Sequence, residues 1–113
     1  MSDSWEEIGT MPSRRAYSAS VYLENFGLMM AGGYDFTTNP DDSNWLDSVI
    51  LTKDGSTFET LDSLPTPSDY GCLTAIGQTT LLLTGGRGSP ELFYQALSYD
   101  ITTNNWTRYH AER

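Results

Sequence analysis

Residues 28–35 read LMMAGGYD, and 53 positions further along the chain residues 81–88 read LLLTGGRG. Each stretch is a run of mainly apolar residues that ends in a glycine pair. Continuous apolar runs of this length are typical of a strand that is buried on both faces. Glycine suits a position of positive φ or of close backbone approach. Two copies of the same stretch therefore predict a fold that is built from a repeated β unit.

The match between the two copies extends well beyond the glycine pairs. A shift of 53 positions superposes, without a gap, Trp5 on Phe58, Pro12 on Pro65, Tyr17 on Tyr70 and Leu28 on Leu81. Downstream of the glycines the best shift is 48, which aligns residues 47–58 with residues 95–106. The two shifts differ because a polar loop is shorter in the second copy. Self-similarity of this kind indicates a repeat architecture.

Each unit is predicted to contain four strands, called a to d, and no helix. The a strands are residues 16–23 and 71–77, the b strands 28–31 and 81–84, the c strands 48–53 and 96–101, and the d strands 56–61 and the segment around Trp106. Asp54-Gly55 is a strong signal for the hairpin turn between strands c and d. No stretch shows the apolar stripe and caps of a helix. Residues 4–9 repeat the d-strand pattern and are predicted to form a spare strand.

An apolar run into Gly-Gly, a loop, a short strand with a Tyr, a turn and a more distant Trp together resemble the kelch motif of β-propellers. Phe58 stands where the motif has Trp, and the first unit lacks the Tyr-Asp that residues 99 and 100 supply in the second. The resemblance implies an all-β fold, a kelch-type β-propeller segment with two four-stranded antiparallel blades plus one extra N-terminal strand. Residues 1–10 would be the outer strand of a preceding or closing blade, residues 11–63 the first kelch blade and residues 64–113 the second.

Two blades are too few to close a propeller, which needs about four to eight. We therefore expect further propeller blades as partners, supplied in cis by a longer chain or in trans by other copies. The spare N-terminal strand favours a longer chain. In an assembly of copies, either this strand or the last d strand would be redundant at each junction.

The composition limits the classes of partner. The chain has 113 residues, 38% of them hydrophobic, with 15 acidic and 6 basic residues and a net charge of −9. Nucleic acids and anionic membranes require a basic surface, so we expect neither as a partner. The single cysteine, Cys72, cannot form an intrachain disulfide and is expected to be a buried, inert thiol. The compartment stays open, with the cytoplasm slightly favoured over the extracellular space.

The sequence gives no indication of catalysis or metal binding. The only histidine, His110, lies three residues from the C-terminus, where a His-based catalytic triad is not expected. One His and one Cys cannot build a zinc site. Residues 52–58 resemble the Asp-box of sialidase-like propellers but are one residue short of it. The sequence therefore predicts a protein that is not an enzyme and that uses no cofactor and no metal.

The partner-binding residues are expected on one face. Alternate antiparallel strands reverse direction, so the d-to-a and b-to-c loops share that face. The kelch resemblance implies that partner proteins or peptides dock there, and Arg and aromatic residues are enriched in interface hot spots. The candidate partner-binding residues are Arg14, Arg15, Tyr34, Asp35, Phe36, Asp41, Asp42, Trp45, Asp69, Arg87, Glu91, Phe93 and Tyr94. Tyr17 and Tyr70 also lie on this face, but they recur in the repeat and are interpreted as framework, as are Trp5, Phe58 and Trp106.

The favoured hypothesis is a protein-interaction module that binds a partner protein or peptide through this loop face. One alternative is a part of a propeller enzyme or glycan-binding ectodomain, galactose-oxidase-like or sialidase-like, whose active groups lie in other blades. Another is a self-assembling repeat protein that closes a ring from several copies.

Overall fold

A computed structural model describes residues 4–35, 44–87 and 96–109. These residues contain strands and turns and no helix, so none of them forms a helix that could span a membrane. The strands are β1 (Ala19–Leu23), β2 (Gly27–Ala31), β3 (Val49–Thr52), β4 (Phe58–Leu61), β5 (Cys72–Ala75), β6 (Thr80–Thr84), β7 (Ala96–Asp100) and β8 (Asn105–Tyr109).

The strands form two antiparallel sheets of four strands each. The first sheet has the order β1-β2-β3-β4 and the second the order β5-β6-β7-β8, so each strand pairs with its neighbours in sequence. The predictions of an all-β chain and of two four-stranded antiparallel units are confirmed. The glycine pairs end β2 and β6, and all four of these glycines have positive φ.

The predicted extra N-terminal strand is wrong for this chain. Residues 4–10 lie in no strand and are exposed, and the Trp5 side chain is 101% exposed. A strand is stable only when a neighbour satisfies its backbone N–H and C=O groups. No edge of either sheet pairs with this segment, and Trp5 is not part of the core that the two sheets share.

The two sheets pack on one another through one face of each, and we call these the inner faces. Their side chains belong to a single hydrophobic core. Alternation along the strands places Ala19, Val21, Leu23, Met29, Ala31, Val49, Leu51 and Leu61 on the inner face of the first sheet, and Leu73, Leu81, Leu83, Leu97, Tyr99 and Trp106 on the inner face of the second. The first set includes four alanines and valines, whereas every member of the second is a leucine, a tyrosine or a tryptophan.

The burial of the central strands differs from the prediction. The b strands were expected to be buried on both faces, yet β2 and β6 alternate: Met29 is fully buried and Leu28 is 37% exposed, and Leu82 is half-buried beside buried Leu81. It is β3 in which every residue is buried. A short apolar run does not report which strand is covered on both sides, because that depends on what packs outside the sheet.

Hydrogen-bond pairing also corrects the sequence alignment by one residue. Ala31 pairs with Val49, and its counterpart Thr84 pairs with Ala96. The third strands therefore correspond at a shift of 47, while Phe58 and Trp106 in the fourth strands keep the shift of 48. A slip of one residue changes the face on which a side chain lies.

Cys72 is exposed, which contradicts the expectation of a buried thiol. Its Sγ lies 3.8 Å from Thr74 Oγ1, on the face of β5 opposite to buried Leu73. In the first sheet the counterpart of Cys72 is Ala19, which is buried. The composition of the strand did not show that this face of the second sheet is uncovered in the chain.

Trp106 and its neighbours link the second sheet to Asp62, the residue that follows β4. Its Nε1 donates to the Asp62 carbonyl at 2.9 Å, and its ring lies 4.8 Å from the Tyr99 ring. Asn104 Oδ1 accepts from the Tyr99 hydroxyl at 2.5 Å and from the Asp62 N–H at 2.8 Å. Burial, with a further contribution from nearby carboxylates such as Asp62, raises the pKa of Tyr99 to about 12. Trp106 therefore has the framework role that the sequence predicted.

The Asp54-Gly55 turn between β3 and β4 is also as predicted. Asp54 Oδ1 accepts the N–H groups of Ser56 at 2.9 Å and of Thr57 at 2.8 Å. Gly55 has a φ of 81° and donates its N–H to Thr52 Oγ1 at 2.8 Å. The side chain of Asp54 thus organises the turn.

These bonds predict a specific dependence of stability on acid. The backbone N–H groups of Thr57 and Ser56 lower the pKa of Asp54 from 3.8 to about 2. Since the folded-state pKa is the lower one, the carboxylate stabilises the fold above pH 3.8, and this contribution is lost as the pH falls through about 2. We expect Asp54→Asn, which can still accept both N–H groups, to flatten the decline of the urea midpoint in this range. Glu24→Gln, in the exposed β1–β2 turn, is the control, and an unchanged decline in Asp54→Asn would contradict the assignment.

Candidate partner-binding site on the loop face

The segments before β1 and β5 and after β2 and β6 meet at one edge of the structure, which we call the loop face. Isolated bridges join Ala16 to Tyr34, Tyr34 to Trp45, and Asp69 to Arg87. Backbone bonds also run between the two units, since Gly33 N–H donates to the Ser68 carbonyl at 2.8 Å. The loop face comprises residues 14–17, 33–35, 44–46, 68–70 and 87.

Two tyrosines stack at the centre of the loop face. The ring centroids of Tyr17 and Tyr70 are 4.3 Å apart, with 25° between the ring planes. The Tyr70 N–H donates to the Tyr17 carbonyl at 2.9 Å, and a side-chain hydrogen bond with Tyr17 raises the pKa of Tyr70. The two side chains are 47% and 52% exposed. They do not fill the core as framework aromatics would, and they present ring surface to solvent.

Both tyrosines have a backbone conformation that L-residues rarely adopt. The φ of Tyr17 is 62° and that of Tyr70 is 61°. Holding a bulky residue in this region costs on the order of 1–3 kcal/mol, and such strain is concentrated at functional sites. Both strained tyrosines occupy equivalent positions of the repeat, and the positive-φ backbone directs their two rings into the same stack.

Arg87 extends the stack and is held in place by the buried carboxylate of Asp69. Its guanidinium carbon lies 4.5 Å from the centroid of the Tyr70 ring. Arg87 Nε donates to Asp69 Oδ1 at 3.0 Å and Nη2 donates to Oδ2 at 3.4 Å. The Asp69 side chain is fully buried, whereas 42% of the Arg87 side chain is exposed. The hydrogen bond with Asp69 raises the pKa of Arg87, so the cation is held in place under the tyrosine ring.

The ion pair is specific to the second unit. At the shift of 53, Asp69 corresponds to Ala16 and Arg87 to Tyr34, and the two pairs form equivalent bridges. The first unit therefore has an apolar and aromatic pair where the second has a carboxylate and a cation. A residue type that does not recur is not required by the framework of the repeat.

The first unit contributes a separate aromatic pair. The rings of Tyr34 and Trp45 meet edge to face, with centroids 5.4 Å apart and 85° between the planes. Both residues are half-buried, as is the neighbouring Asp35. Edge-to-face pairs of this kind stabilise the loop in which they lie.

The guanidinium of Arg15 makes its hydrogen bonds to residues of the same chain. Its Nη1 donates to the carbonyls of Gly32 at 2.9 Å and Ser48 at 3.2 Å, and its Nη2 donates to the hydroxyls of Ser48 at 2.6 Å and Ser13 at 2.9 Å. Burial lowers its pKa. These contacts assign Arg15 to holding the loop after β2, whereas the neighbouring Arg14 is exposed.

The structure brings Asp69 and Arg87 together with Tyr70, and separately brings Tyr34 together with Trp45. The remaining candidates lie outside the described residues, and these are Phe36, Asp41, Asp42, Glu91, Phe93 and Tyr94. Sequence reasoning did not single out Tyr17 and Tyr70 as a site. Their recurrence 53 positions apart was the available signal, but it does not reveal positive φ or exposure.

The site offers two partly exposed tyrosine rings and a fixed cation. Among the described residues, no group of three or more His, Cys, Asp or Glu side chains could hold a metal ion. Stacked rings beside a guanidinium suit the recognition of planar or apolar groups and of hydrogen-bond acceptors. No family model matches the chain, and no curated protein matches it.

Proposed function

We propose that the chain is a kelch-type β-propeller segment that binds a partner protein or peptide through its loop face. The observation that carries the proposal is the exposed stack of Tyr17, Tyr70 and Arg87, built on two strained tyrosines and a buried aspartate. Each four-stranded sheet corresponds to one blade, and the equivalent first strands β1 and β5 lie beside one another. The repeat and the short turns β1–β2, β3–β4, β5–β6 and β7–β8 support this interpretation.

Preorganisation favours binding over a purely structural role for the stack. The rings and the guanidinium are already in contact, so a partner loses little side-chain freedom when it docks on them. The conformational strain of the tyrosines lowers the stability of the chain. The rings do not offset this loss by packing in the core. The exposed part of Arg87 can donate to a carbonyl or carboxylate of the partner, while the exposed parts of the two tyrosine rings can pack against proline, aromatic or other apolar groups.

The test begins with peptides selected from a random display library on the wild-type chain. Their affinities are then measured by calorimetry for Tyr70→Ala and for the double variant Asp69→Ala with Arg87→Tyr. The double variant rebuilds the Ala16–Tyr34 pair of the first unit, so it avoids leaving Asp69 buried without its cation. We expect each variant to weaken binding at least about 30-fold, since hot-spot residues contribute about 2 kcal/mol or more.

Ile76→Ala is the matched control, because Ile76 is 56% exposed but lies in the β5–β6 turn. Binding should be unchanged in this variant. Selected peptides that bind the Tyr70→Ala and double variants as tightly as the wild-type chain would overturn the assignment of the loop face, and so would a library from which no peptide is selected.

A further inference from the structure

The face of the first sheet that points away from the second sheet, its outer face, is apolar. Alternation along the strands places Tyr22, Leu28, Met30, Ile50 and Phe58 on it. Tyr22 is 67% exposed and Leu28 is 37% exposed, although Ile50 is buried. Ile8 approaches this sheet at Gly55, in the β3–β4 turn, and leaves Tyr22 and Leu28 on β1 and β2 accessible.

The repeat shows what kind of surface this is. The counterparts of Leu28, Met30, Ile50 and Phe58 in the second sheet are Leu81, Leu83, Leu97 and Trp106, according to the observed pairing. Those four residues belong to the inner face of the second sheet, which packs on the first sheet. The outer face of the first sheet is therefore a second copy of a surface that packs on a sheet elsewhere in the same chain.

The outer face of the second sheet carries mostly small or polar side chains. By alternation it presents Cys72, Thr74, Thr80, Leu82, Thr84, Ala96, Ser98, Asp100, Asn105 and Thr107. The counterparts of Cys72 and Thr74 in the first sheet are Ala19 and Val21, which lie on the inner face. This second face thus corresponds in position to the inner face of the first sheet, which packs on the second sheet inside the chain.

We propose that copies of this chain associate head to tail, with the outer face of the first sheet of one copy on the outer face of the second sheet of the next. The internal interface is the template, since each outer face is the repeat counterpart of one of its two sides. The arrangement is heterologous, so each pair leaves one face of each kind available for another copy. This inference rests on the two outer faces and is independent of the loop face.

Two features set the strength of the association. The hydroxyl groups of Thr74 and Thr107 lose hydration in the interface, so it is weaker than the internal one. Each copy carries a charge of −9, so copies repel one another, and salt screens this repulsion. We therefore expect association to increase with both protein concentration and ionic strength.

The experiment is sedimentation equilibrium on the wild-type chain and on two variants that block one face each, Leu28→Glu and Thr74→Glu. The wild-type mass should rise above 12.6 kDa with concentration, whereas each variant alone should remain at that mass. A mixture of the two variants should form a 1:1 pair with twice the mass and nothing larger, because one intact face remains on each. Gln78→Glu, in the exposed β5–β6 turn, is the control and should associate as the wild-type chain does.

A wild-type chain that stays at 12.6 kDa at every concentration and ionic strength would overturn the proposal. Self-association of Thr74→Glu alone would also overturn it, since it would mean that two first-sheet faces meet each other. Tyr70→Ala should associate normally, so a failure of this proposal is distinguishable from a failure of the proposed loop-face function.

Discussion

Replacing Trp106 by alanine should lower the free energy of unfolding by about 3–5 kcal/mol, the range for removing a buried large aromatic side chain. The Trp106 side chain is 8% exposed and belongs to the core between the sheets. Its loss would create a cavity beside Tyr99 and would leave the Asp62 carbonyl without the indole N–H. Because single domains are stable by only about 5–15 kcal/mol, this change removes a large part of the total.

Trp5→Ala is the matched control, since the Trp5 side chain is fully exposed. It should change the free energy of unfolding by less than about 0.5 kcal/mol. Urea denaturation followed by circular dichroism measures both variants without relying on tryptophan emission. Equal effects of the two substitutions would contradict the described packing of the core.

Replacing Gly32 by alanine should have the second large effect, and its counterpart Gly85 provides the comparison. The two glycines have φ values of 68° and 73°, so alanine is strained at either position by about 1–2 kcal/mol. A β-carbon at residue 32 would collide with the Ser68 carbonyl oxygen and come within 3.1 Å of Leu64 Cδ1. At residue 85 no atom of the described residues lies within 4 Å of it.

We therefore expect Gly85→Ala to cost about 1–2 kcal/mol and Gly32→Ala to cost at least about 3 kcal/mol, because steric overlap with backbone adds to the strain. Thermal and urea unfolding of the two variants, measured side by side, checks the difference. Equal losses would mean that the first unit can open around a β-carbon, and that close approach is not the reason for glycine at residue 32.

The sequence predicted the number and order of the strands better than their faces. The repeat, the Gly-Gly ends and the Asp54 turn identified the eight observed strands in two units, although the same repeat also predicted a ninth strand at residues 4–9 that is not formed. The alignment of β3 with β7 was one residue out of step, since it followed Phe58 and Trp106 on the neighbouring strands. Only the hydrogen-bond register shows that Val49 corresponds to Ala96.

The candidate site was anticipated by region but not by its central residues. Antiparallel connectivity placed Asp69 and Arg87 on a common face, and they form an ion pair there. Arg15 was chosen for its charge, yet its hydrogen bonds are made within the chain. The stacking of Tyr17 on Tyr70 depends on backbone conformations that no local pattern of residues reports.

The left-handed backbone of Tyr17 and Tyr70 has a consequence for anyone who engineers this protein. Glycine at either position would relieve the strain on the β-carbon, and the melting temperature would gain from that relief. The same change would remove one of the two stacked rings. A screen for heat resistance alone would therefore select substitutions at these two positions. The selected variants would lack the stacked aromatic surface between the two units.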